Sequence, residues 1–230
     1  MNPVLLYFNQ AITLISAKAV LPYYLDVKVK ELSDFLSQQE KTTLIKRILF
    51  LDNSSECFRY FSKRKALQSI FYYLDILKKI PQNKGRSKNA FDHTLRVLDQ
   101  VPIEDGTLRW VAIFHDLGKY DAHRVDHHFR NHQAYSYEIT KILCEVYDVP
   151  NKKKVVNLVK NHMFPLDYQR NPNWTEKAIM RFIDRVGRED VLDSIRFSYF
   201  DKKAENDVLE YLEIIQQFFK KVESILNGKK

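Results

Sequence analysis

Histidine is concentrated in one stretch of this sequence, together with carboxylates that could act beside it. All seven histidines lie between His93 and His162, and His115 is followed directly by Asp116. Near neutral pH an imidazole is either a metal ligand or a proton carrier, and a carboxylate adds the negative charge that a bound cation needs. These residue types therefore predict metal or acid–base chemistry in this part of the chain.

The spacing of these polar residues places them on helix faces that are otherwise apolar. Five segments show the pattern at helical intervals: Ala90, His93, Thr94 and Val97; Leu108, Val111, Ala112 and His115; His132, Tyr135, Ile139 and Leu143; Val155, Leu158, Val159 and His162; and Phe197 with Asp201. Unpaired groups of this kind would each cost about 1–3 kcal/mol to bury, so five repeats favour a shared ion. Nitrogen and oxygen donors without thiolate predict one or two divalent ions, namely Mn, Fe, Ni, Co, Zn or Mg.

The elements that carry these residues are predicted to be helices along nearly the whole chain. With 230 residues, 45% of them hydrophobic and only five glycines, the chain is expected to be all-α with a sizeable core. The short stretch Pro81–Lys88 is the best candidate boundary. It would separate an N-terminal helical segment, residues 1–80, from residues 81–230, with the first packed on the core of the second. No apolar run is long enough to cross a membrane, and two cysteines without a signal peptide indicate the cytoplasm.

The ligand pattern resembles that of the HD superfamily of metal-dependent phosphohydrolases. Six residues match the ligands of its dinuclear members: His93, His115, Asp116, His132, His162 and Asp201. The pair His115-Asp116 followed by Leu117-Gly118-Lys119 is the most specific element of this resemblance. It implies an HD-domain helical bundle in residues 81–230, with an additional N-terminal helical segment, and makes Asp116 the bridge if two ions bind.

A narrower resemblance covers about Ile80 to Asp201. The strings FDHTLRVLD, LRWVAIFHDLGK, HHFRNHQ, VNLVKNHMF and RFIDRVGRED look like the C-terminal HD body of bacterial CCA-adding enzymes, the tRNA nucleotidyltransferases. Their nucleotidyltransferase head needs paired aspartates and a glycine-rich turn, whereas this sequence has no Asp-x-Asp and no glycine before Gly85. We therefore expect that this chain does not add nucleotides.

The resemblance implies a hydrolase of the phosphohydrolase or phosphodiesterase type. A metal-activated water would attack phosphorus in a phosphomonoester or a 2′,3′-cyclic phosphate of a nucleotide or RNA end. Asp116 and Lys119 are the predicted catalytic residues. The predicted substrate-binding residues are His128, Arg130, Arg181 and Arg196.

The charge of the chain fits an anionic partner. The net charge is +8, and the stretch Arg59–Lys88 is strongly basic, which suggests tRNA binding through residues 59–88. Two other functions stay open at this point. The chain could be a dinuclear HD hydrolase of diadenosine tetraphosphate, or a catalytically inactive tRNA-binding module. The sequence does not indicate an oligomeric state.

Overall fold

The computed structural model describes residues 3–20, 22–84, 87–126, 129–171, 173–205 and 209–228. These residues form helices almost throughout, which confirms the predicted all-α class. The α-helices are α1 (Pro3–Ser16), α2 (Tyr23–Leu32), α3 (Gln38–Leu49), α4 (Ser54–Lys63), α5 (Leu67–Ile70), α6 (Tyr72–Asp75), α7 (Ala90–Gln100), α8 (Gly106–Phe114), α9 (Lys119–Asp126), α10 (His132–Val146), α11 (Lys152–Asn161), α12 (Phe164–Arg170), α13 (Glu176–Val186), α14 (Val191–Glu205) and α15 (Leu209–Leu226). Short 3-10 helices cover Ser33–Phe35 and Ile76–Lys79.

The stretch Pro81–Lys88, which the sequence predicts to be a boundary, contains a small antiparallel sheet. Strand β1 (Pro81–Lys84) pairs with β2 (Ser87–Asn89), and Pro81 lies opposite Asn89. The N–H of Ala90 then donates to the carbonyl of Ile80 at 2.9 Å, which ties the hairpin to the start of α7. The hairpin is therefore held against the first histidine-bearing helix, while the division between residues 1–80 and 81–230 stays a prediction.

Two hydrophobic cores meet at α14. The larger core joins the N-terminal helices to α7, α8, α10 and α11, and Phe71 packs edge-on against Phe114 with ring centroids 6.1 Å apart. The smaller core lies among α12, α13, α14 and α15, where Tyr168 stacks on Phe218 at 3.9 Å. Because α14 supplies Phe197 to the larger core and Ile195 to the smaller one, its position is determined from both sides.

A buried arginine links the end of α3 to α8. Arg109 is 3% exposed, and its guanidinium donates to the carbonyls of Leu49 at 2.6 Å, Val101 at 2.7 Å and Leu51 at 3.3 Å. A fourth hydrogen bond reaches the Ser54 hydroxyl at 2.5 Å. Burial lowers the pKa of Arg109, although Asp99 and Asp52 partly oppose that shift. The guanidinium therefore satisfies carbonyl groups at this helix junction that no backbone N–H of the described residues reaches.

We expect the substitution Arg109→Met to lower the free energy of unfolding by about 3 kcal/mol or more. The Val101 carbonyl would lose its donor, and the carbonyls of Leu49 and Leu51 would share the single proton of the Ser54 hydroxyl. About two carbonyls would therefore be left unsatisfied, at about 1–3 kcal/mol each. Urea unfolding followed by circular dichroism would measure the change, with Arg181→Met, at an exposed position on α13, as the control. Equal stability of the two variants would contradict this account of the junction.

The C-terminal helix ends just before a glycine. α15 ends at Leu226, and Gly228 adopts a positive φ of 67°, a conformation that glycine tolerates at helix ends. Among the residues described here, none of the helices combines the length and apolarity needed to cross a membrane.

Candidate metal centre

The first histidine is placed by a well-capped helix. The Asn89 side chain accepts a hydrogen bond from the N–H of Asp92 at 2.8 Å, which starts α7 in the manner of a typical N-cap. His93 follows in the next position and is buried on the same face as Ala90 and Val97. This confirms the inward direction that the spacing predicted for His93.

The central His-Asp pair lies in a turn and not within the helix that the sequence suggested. α8 ends at Phe114, and His115 caps it by donating its N–H to the carbonyl of Val111 at 2.9 Å. The helix whose spacing was predicted to include His115 therefore ends one residue before it. The turn packs against α10, where the N–H of Gly118 donates to the Ser136 hydroxyl at 2.9 Å.

The remaining predicted ligands come from three further helices. His132 is the first residue of α10, His162 directly follows α11, and Asp201 lies one turn after Phe197 on α14. All are buried. We call the six residues that meet here the His–Asp cluster: His93, His115, Asp116, His132, His162 and Asp201.

One half of the cluster is formed by two imidazoles and two carboxylates. His93 Nε2 lies 2.9 Å from Asp201 Oδ1 and 3.6 Å from Asp116 Oδ2. His115 Nε2 lies 3.1 Å from Asp116 Oδ2 and 3.9 Å from Asp201 Oδ1. These atoms come from three separate elements, namely α7, α14 and the turn that follows α8. All three direct nitrogen and oxygen donors at one point.

The other half shares Asp116 through its second oxygen. His132 Nε2 is 3.3 Å from Asp116 Oδ1 and 3.2 Å from His162 Nε2. Asp116 therefore presents one carboxylate oxygen to each half of the cluster. This is the arrangement that a carboxylate bridging two cations requires.

Hydrogen bonds to the backbone determine which ring nitrogens carry protons. Nδ1 of His115, His132 and His162 lies 2.7–2.9 Å from the carbonyl three residues earlier in the chain. A carbonyl oxygen only accepts, so each Nδ1 is the protonated nitrogen. Nε2 then carries a lone pair in the neutral ring, and the lone pairs of His132 and His162 face each other. A cation between these nitrogens would relieve that contact, and anchoring the other ring nitrogen is the usual support for a metal-binding histidine.

Buried atoms without hydrogen-bond partners support the same interpretation. His115 Nε2 and Asp201 Oδ1 are shielded from solvent and make no hydrogen bond of acceptable geometry with the residues that the structure describes, although charged neighbours lie within 4 Å. Such atoms are costly to bury unless something else satisfies them. A divalent cation would satisfy both, so the residues present fit the metal that the donor set implies.

The protonation of the cluster also favours a cation. Burial, together with the neighbouring His132 and His115, lowers the pKa of His162 to about 3, so this ring is neutral and able to coordinate. Burial by itself would raise the pKa of Asp116, but His115 and Lys119 hold it well below its ordinary value. Asp116 is therefore ionised at neutral pH.

Asp201 and His115 show how much negative charge is concentrated here. Burial disfavours ionised Asp201, yet contact with His93 lowers its pKa below the ordinary value. Burial likewise disfavours charged His115, yet the Asp116 and Asp201 carboxylates raise its pKa. Two buried carboxylates thus attract positive charge, which a bound cation would supply.

The cluster opens into a cavity of about 300 Å³. Lys119 lines it, and its ammonium donates to Asp116 Oδ2 at 2.6 Å and to Gln82 Oε1 at 2.7 Å. Phe129 forms part of the wall, with its ring centroid 5.9 Å from the Lys119 nitrogen. Lys119 is thus a buried residue of the site, in a position where it could contact an anion.

The predicted substrate-binding residues are distributed unevenly around this cavity. Arg130 is exposed and directly follows the lining residue Phe129, but it does not itself line the cavity. Arg196 instead pairs with Asp193 and Asp105, each at 2.7 Å, and neither it nor Arg181 is a lining residue. His128 lies outside the described residues.

Several cavity residues were not anticipated from the sequence. Gln82 of β1, Arg170 at the end of α12 and Glu205 at the end of α14 all line it. Glu205 can bring an oxygen within 4.8 Å of ligand atoms of His93 and Asp201. None of these residues carries a recognisable local motif, although Glu205 stands four positions after Asp201 on the same helix face.

Several basic side chains of segment 59–88 are already in ion pairs, so fewer of them can contact RNA than the sequence suggests. Arg59 pairs with Asp92, Arg64 pairs with Asp26, and Lys78 lies 2.7 Å from Asp75. The aromatic residues Phe61 and Phe71 are buried and cannot stack on nucleotide bases, whereas Tyr72 is about half exposed. Binding of tRNA to this segment stays a prediction.

Comparison with known proteins agrees with this geometry. Residues 86–189 match the family model of the HD domain. This range includes five of the six cluster residues, and Asp201 follows it. No curated protein matches the chain, so the narrower resemblance to CCA-adding enzymes stays a prediction. The family match over residues 86–189 and the buried His–Asp cluster both fit an HD domain with a divalent-metal site, the kind of site found in metal-dependent hydrolases.

Proposed function

We propose that this protein is a metal-dependent phosphohydrolase that acts on a phosphomonoester or a 2′,3′-cyclic phosphate of a nucleotide or RNA end. The observation that carries the proposal is the shared Asp116, whose two oxygens face two sets of histidines beside a cavity that Lys119 lines. A phosphate ester needs cationic groups on one side of such a cavity, and this arrangement supplies them.

The residues of the cluster would hold the ions in two groups that share Asp116. His93, His115, Asp116 and Asp201 would hold one ion, and Asp116, His132 and His162 would hold a second. Divalent ions bound there would activate a water molecule and neutralise charge on the phosphoryl oxygens. The backbone carbonyls that bind Nδ1 of three histidines keep these rings oriented for this task.

Lys119 would act on the substrate directly. Asp116 and Gln82 use two of the three donors of its ammonium, which leaves one N–H for an acceptor in the cavity. A phosphoryl oxygen is such an acceptor, and it gains negative charge as the reaction proceeds. Arg130, which directly follows the lining residue Phe129 in the chain, is a second candidate contact for phosphate.

We expect Lys119→Ala to slow turnover by about 10- to 100-fold while leaving most of the bound metal in place. A hydrogen bond from a charged donor contributes about 1.5–3 kcal/mol, and each 1.36 kcal/mol corresponds to about tenfold in rate. Steady-state kinetics and elemental analysis of the same preparation would measure both effects. An unchanged rate would exclude Lys119 from the reaction.

The first test of the proposed function is metal content together with hydrolysis. Elemental analysis of the purified chain is combined with assays of p-nitrophenyl phosphate and bis-p-nitrophenyl phosphate in Mn, Ni, Co and Mg. The following assays use nucleoside 2′,3′-cyclic phosphates, nucleoside monophosphates and diadenosine tetraphosphate. We expect bound metal and hydrolysis of a monoester or a cyclic phosphate.

The other outcomes distinguish the alternatives. Hydrolysis of diadenosine tetraphosphate and of none of the other compounds would indicate that the enzyme cleaves an anhydride bond. Bound metal with no hydrolysis of any of these compounds would overturn the proposal and favour a binding module. The absence of both metal and hydrolysis would also overturn it.

A further inference from the structure

The side chain of Gln82 connects the β-hairpin to the His–Asp cluster. Gln82 is only 4% exposed and lies in β1, an element that supplies none of the six cluster residues. Its Oε1 accepts a hydrogen bond from Lys119 Nζ at 2.7 Å, and the same ammonium donates to Asp116 Oδ2 at 2.6 Å. The hairpin therefore reaches the bridging carboxylate through a single lysine.

The orientation of the Gln82 amide follows from its partner. An ammonium only donates, so the atom that faces Lys119 must be the amide oxygen. The amide nitrogen then points elsewhere; it is buried and has no hydrogen-bond partner among the described residues. An apolar side chain at this position would not leave such a donor unsatisfied, so packing alone does not account for an amide here. The hydrogen bond from Lys119 to the amide oxygen accounts for it.

Two anchors determine how the ammonium of Lys119 is turned. A lysine held at one point rotates about a flexible stem. Asp116 is three residues away in the same turn, whereas Gln82 approaches from a different element. Because the three N–H bonds of an ammonium have fixed angles between them, holding two of them also sets the direction of the third. Both Lys119 and Gln82 line the cavity, where an anion would meet that third donor.

We propose that Gln82 is a positioning residue, which holds the Lys119 ammonium so that its remaining N–H donates to the phosphoryl group of the substrate. This inference rests on the proposed function of Lys119 and makes the hairpin part of the active site. Gln82 itself is not a metal ligand, and it acts only through Lys119. Its loss should therefore matter only while Lys119 is present.

A double-mutant cycle tests this dependence in the full-length chain. The variants are Gln82→Leu, Lys119→Met and the two combined, with Gln68→Leu, at an exposed position on α5, as the matched control. Three quantities are measured for each: metal content, the Kd of inorganic phosphate for the metal-loaded protein by calorimetry, and kcat on p-nitrophenyl phosphate. We expect Gln82→Leu to reduce kcat by about 10- to 100-fold and to weaken phosphate binding, with metal content unchanged. In the Lys119→Met background, adding Gln82→Leu should change neither kcat nor the Kd of phosphate any further.

The conservative replacement Gln82→Glu distinguishes loss of the Lys119 hydrogen bond from a general disturbance of the fold. Gln82→Glu keeps an oxygen acceptor for Lys119, so kcat should stay within about threefold of the wild type. KM should rise, because the added negative charge opposes an anionic substrate. If Gln82→Leu retains full kcat, if its effect is the same with and without Lys119, or if Gln82→Glu is as slow as Gln82→Leu, the proposal is wrong.

The same measurements keep this inference apart from the proposed function. If the wild-type protein hydrolyses no phosphate ester, the proposed function fails, while the cycle in phosphate affinity still tests Gln82. If hydrolysis is normal and the cycle is additive, only the role of Gln82 fails. A wild-type protein that neither hydrolyses phosphate esters nor binds phosphate would overturn both.

Discussion

Replacing Asp116 with asparagine is expected to remove metal binding and hydrolysis together while the helical content stays unchanged. Asp116 is the residue that both halves of the His–Asp cluster share, with Oδ2 toward His115 and Oδ1 toward His132. An amide has nearly the same shape as the carboxylate, but it offers one acceptor oxygen and no charge. Each half would therefore lose either a ligand atom or the negative charge that holds a cation.

The expected loss of activity is at least about 100-fold. Removing even an outer partner of a metal ligand costs about 10- to 100-fold in affinity or activity, so removal of a shared ligand should exceed that range. Elemental analysis should show less than half of the wild-type metal. Asparagine is preferable to alanine here, because its amide oxygen can still accept the hydrogen bond of the buried Lys119 ammonium, whereas alanine would remove that acceptor as well as the charge.

The matched control for this prediction is Asp148→Asn. Asp148 is exposed, it pairs with Lys46 at 3.0 Å, and neither residue lines the cavity. Exposed pairs contribute little to stability, so this variant should retain wild-type metal content, rate and circular dichroism. Wild-type activity or metal content in Asp116→Asn would contradict the assignment of the cluster as the metal centre.

Gly118→Ala is expected to destabilise the fold and disturb the second half of the cluster. A β-carbon on Gly118 would lie 2.3 Å from the backbone nitrogen of Ser136, 2.4 Å from the carbonyl oxygen of His132 and 2.6 Å from Tyr135 Cβ. All three atoms belong to α10, and two are backbone atoms that no side-chain rotation can move. The helix itself would have to shift away from the turn after α8.

That shift would reach the metal ligands directly, because His132 is the first residue of α10. We expect a loss of about 1–3 kcal/mol in the free energy of unfolding, the usual cost of overpacking, which lowers Tm by about 2–4 °C per kcal/mol for a chain of this length. The distance between His132 and Asp116 should also change, so the second ion should bind more weakly. Thermal unfolding of the metal-free protein and titration with Mn²⁺ would measure the two effects.

Gly106→Ala is the matched control for this substitution. A β-carbon there would approach only the Phe50 side chain, at 3.1 Å, and that ring is partly exposed and can move. Alanine also favours the helix more than glycine does, so this variant should stay within about 1 kcal/mol of the wild type. If the two glycine variants have the same Tm and the same Mn²⁺ affinity, the close approach of α10 is not what positions His132.

The helical class and the residues that meet in the cluster could be predicted from the sequence. Helical periodicity is a local property, so the burial of His93 beside Val97, and of His162 beside Leu158, follows from spacing within one helix. The repeated combination of histidine or aspartate with an apolar face indicated a shared site before any helix was placed. The resemblance to the HD superfamily added the pairing of Asp116 with two sets of histidines.

Contacts between distant segments could be decided only by the tertiary structure. Gln82 was part of a stretch interpreted as a boundary, yet the hairpin brings it to Lys119, 37 residues along the chain. Arg196 was a candidate for phosphate binding, but it pairs with Asp105, which is 91 residues away. Spacing within a helix shows which face a side chain shares and not which element packs against that face. The helices and the donor groups thus follow from local sequence, whereas the packing of distant elements shows which charges are already paired and which face the cavity.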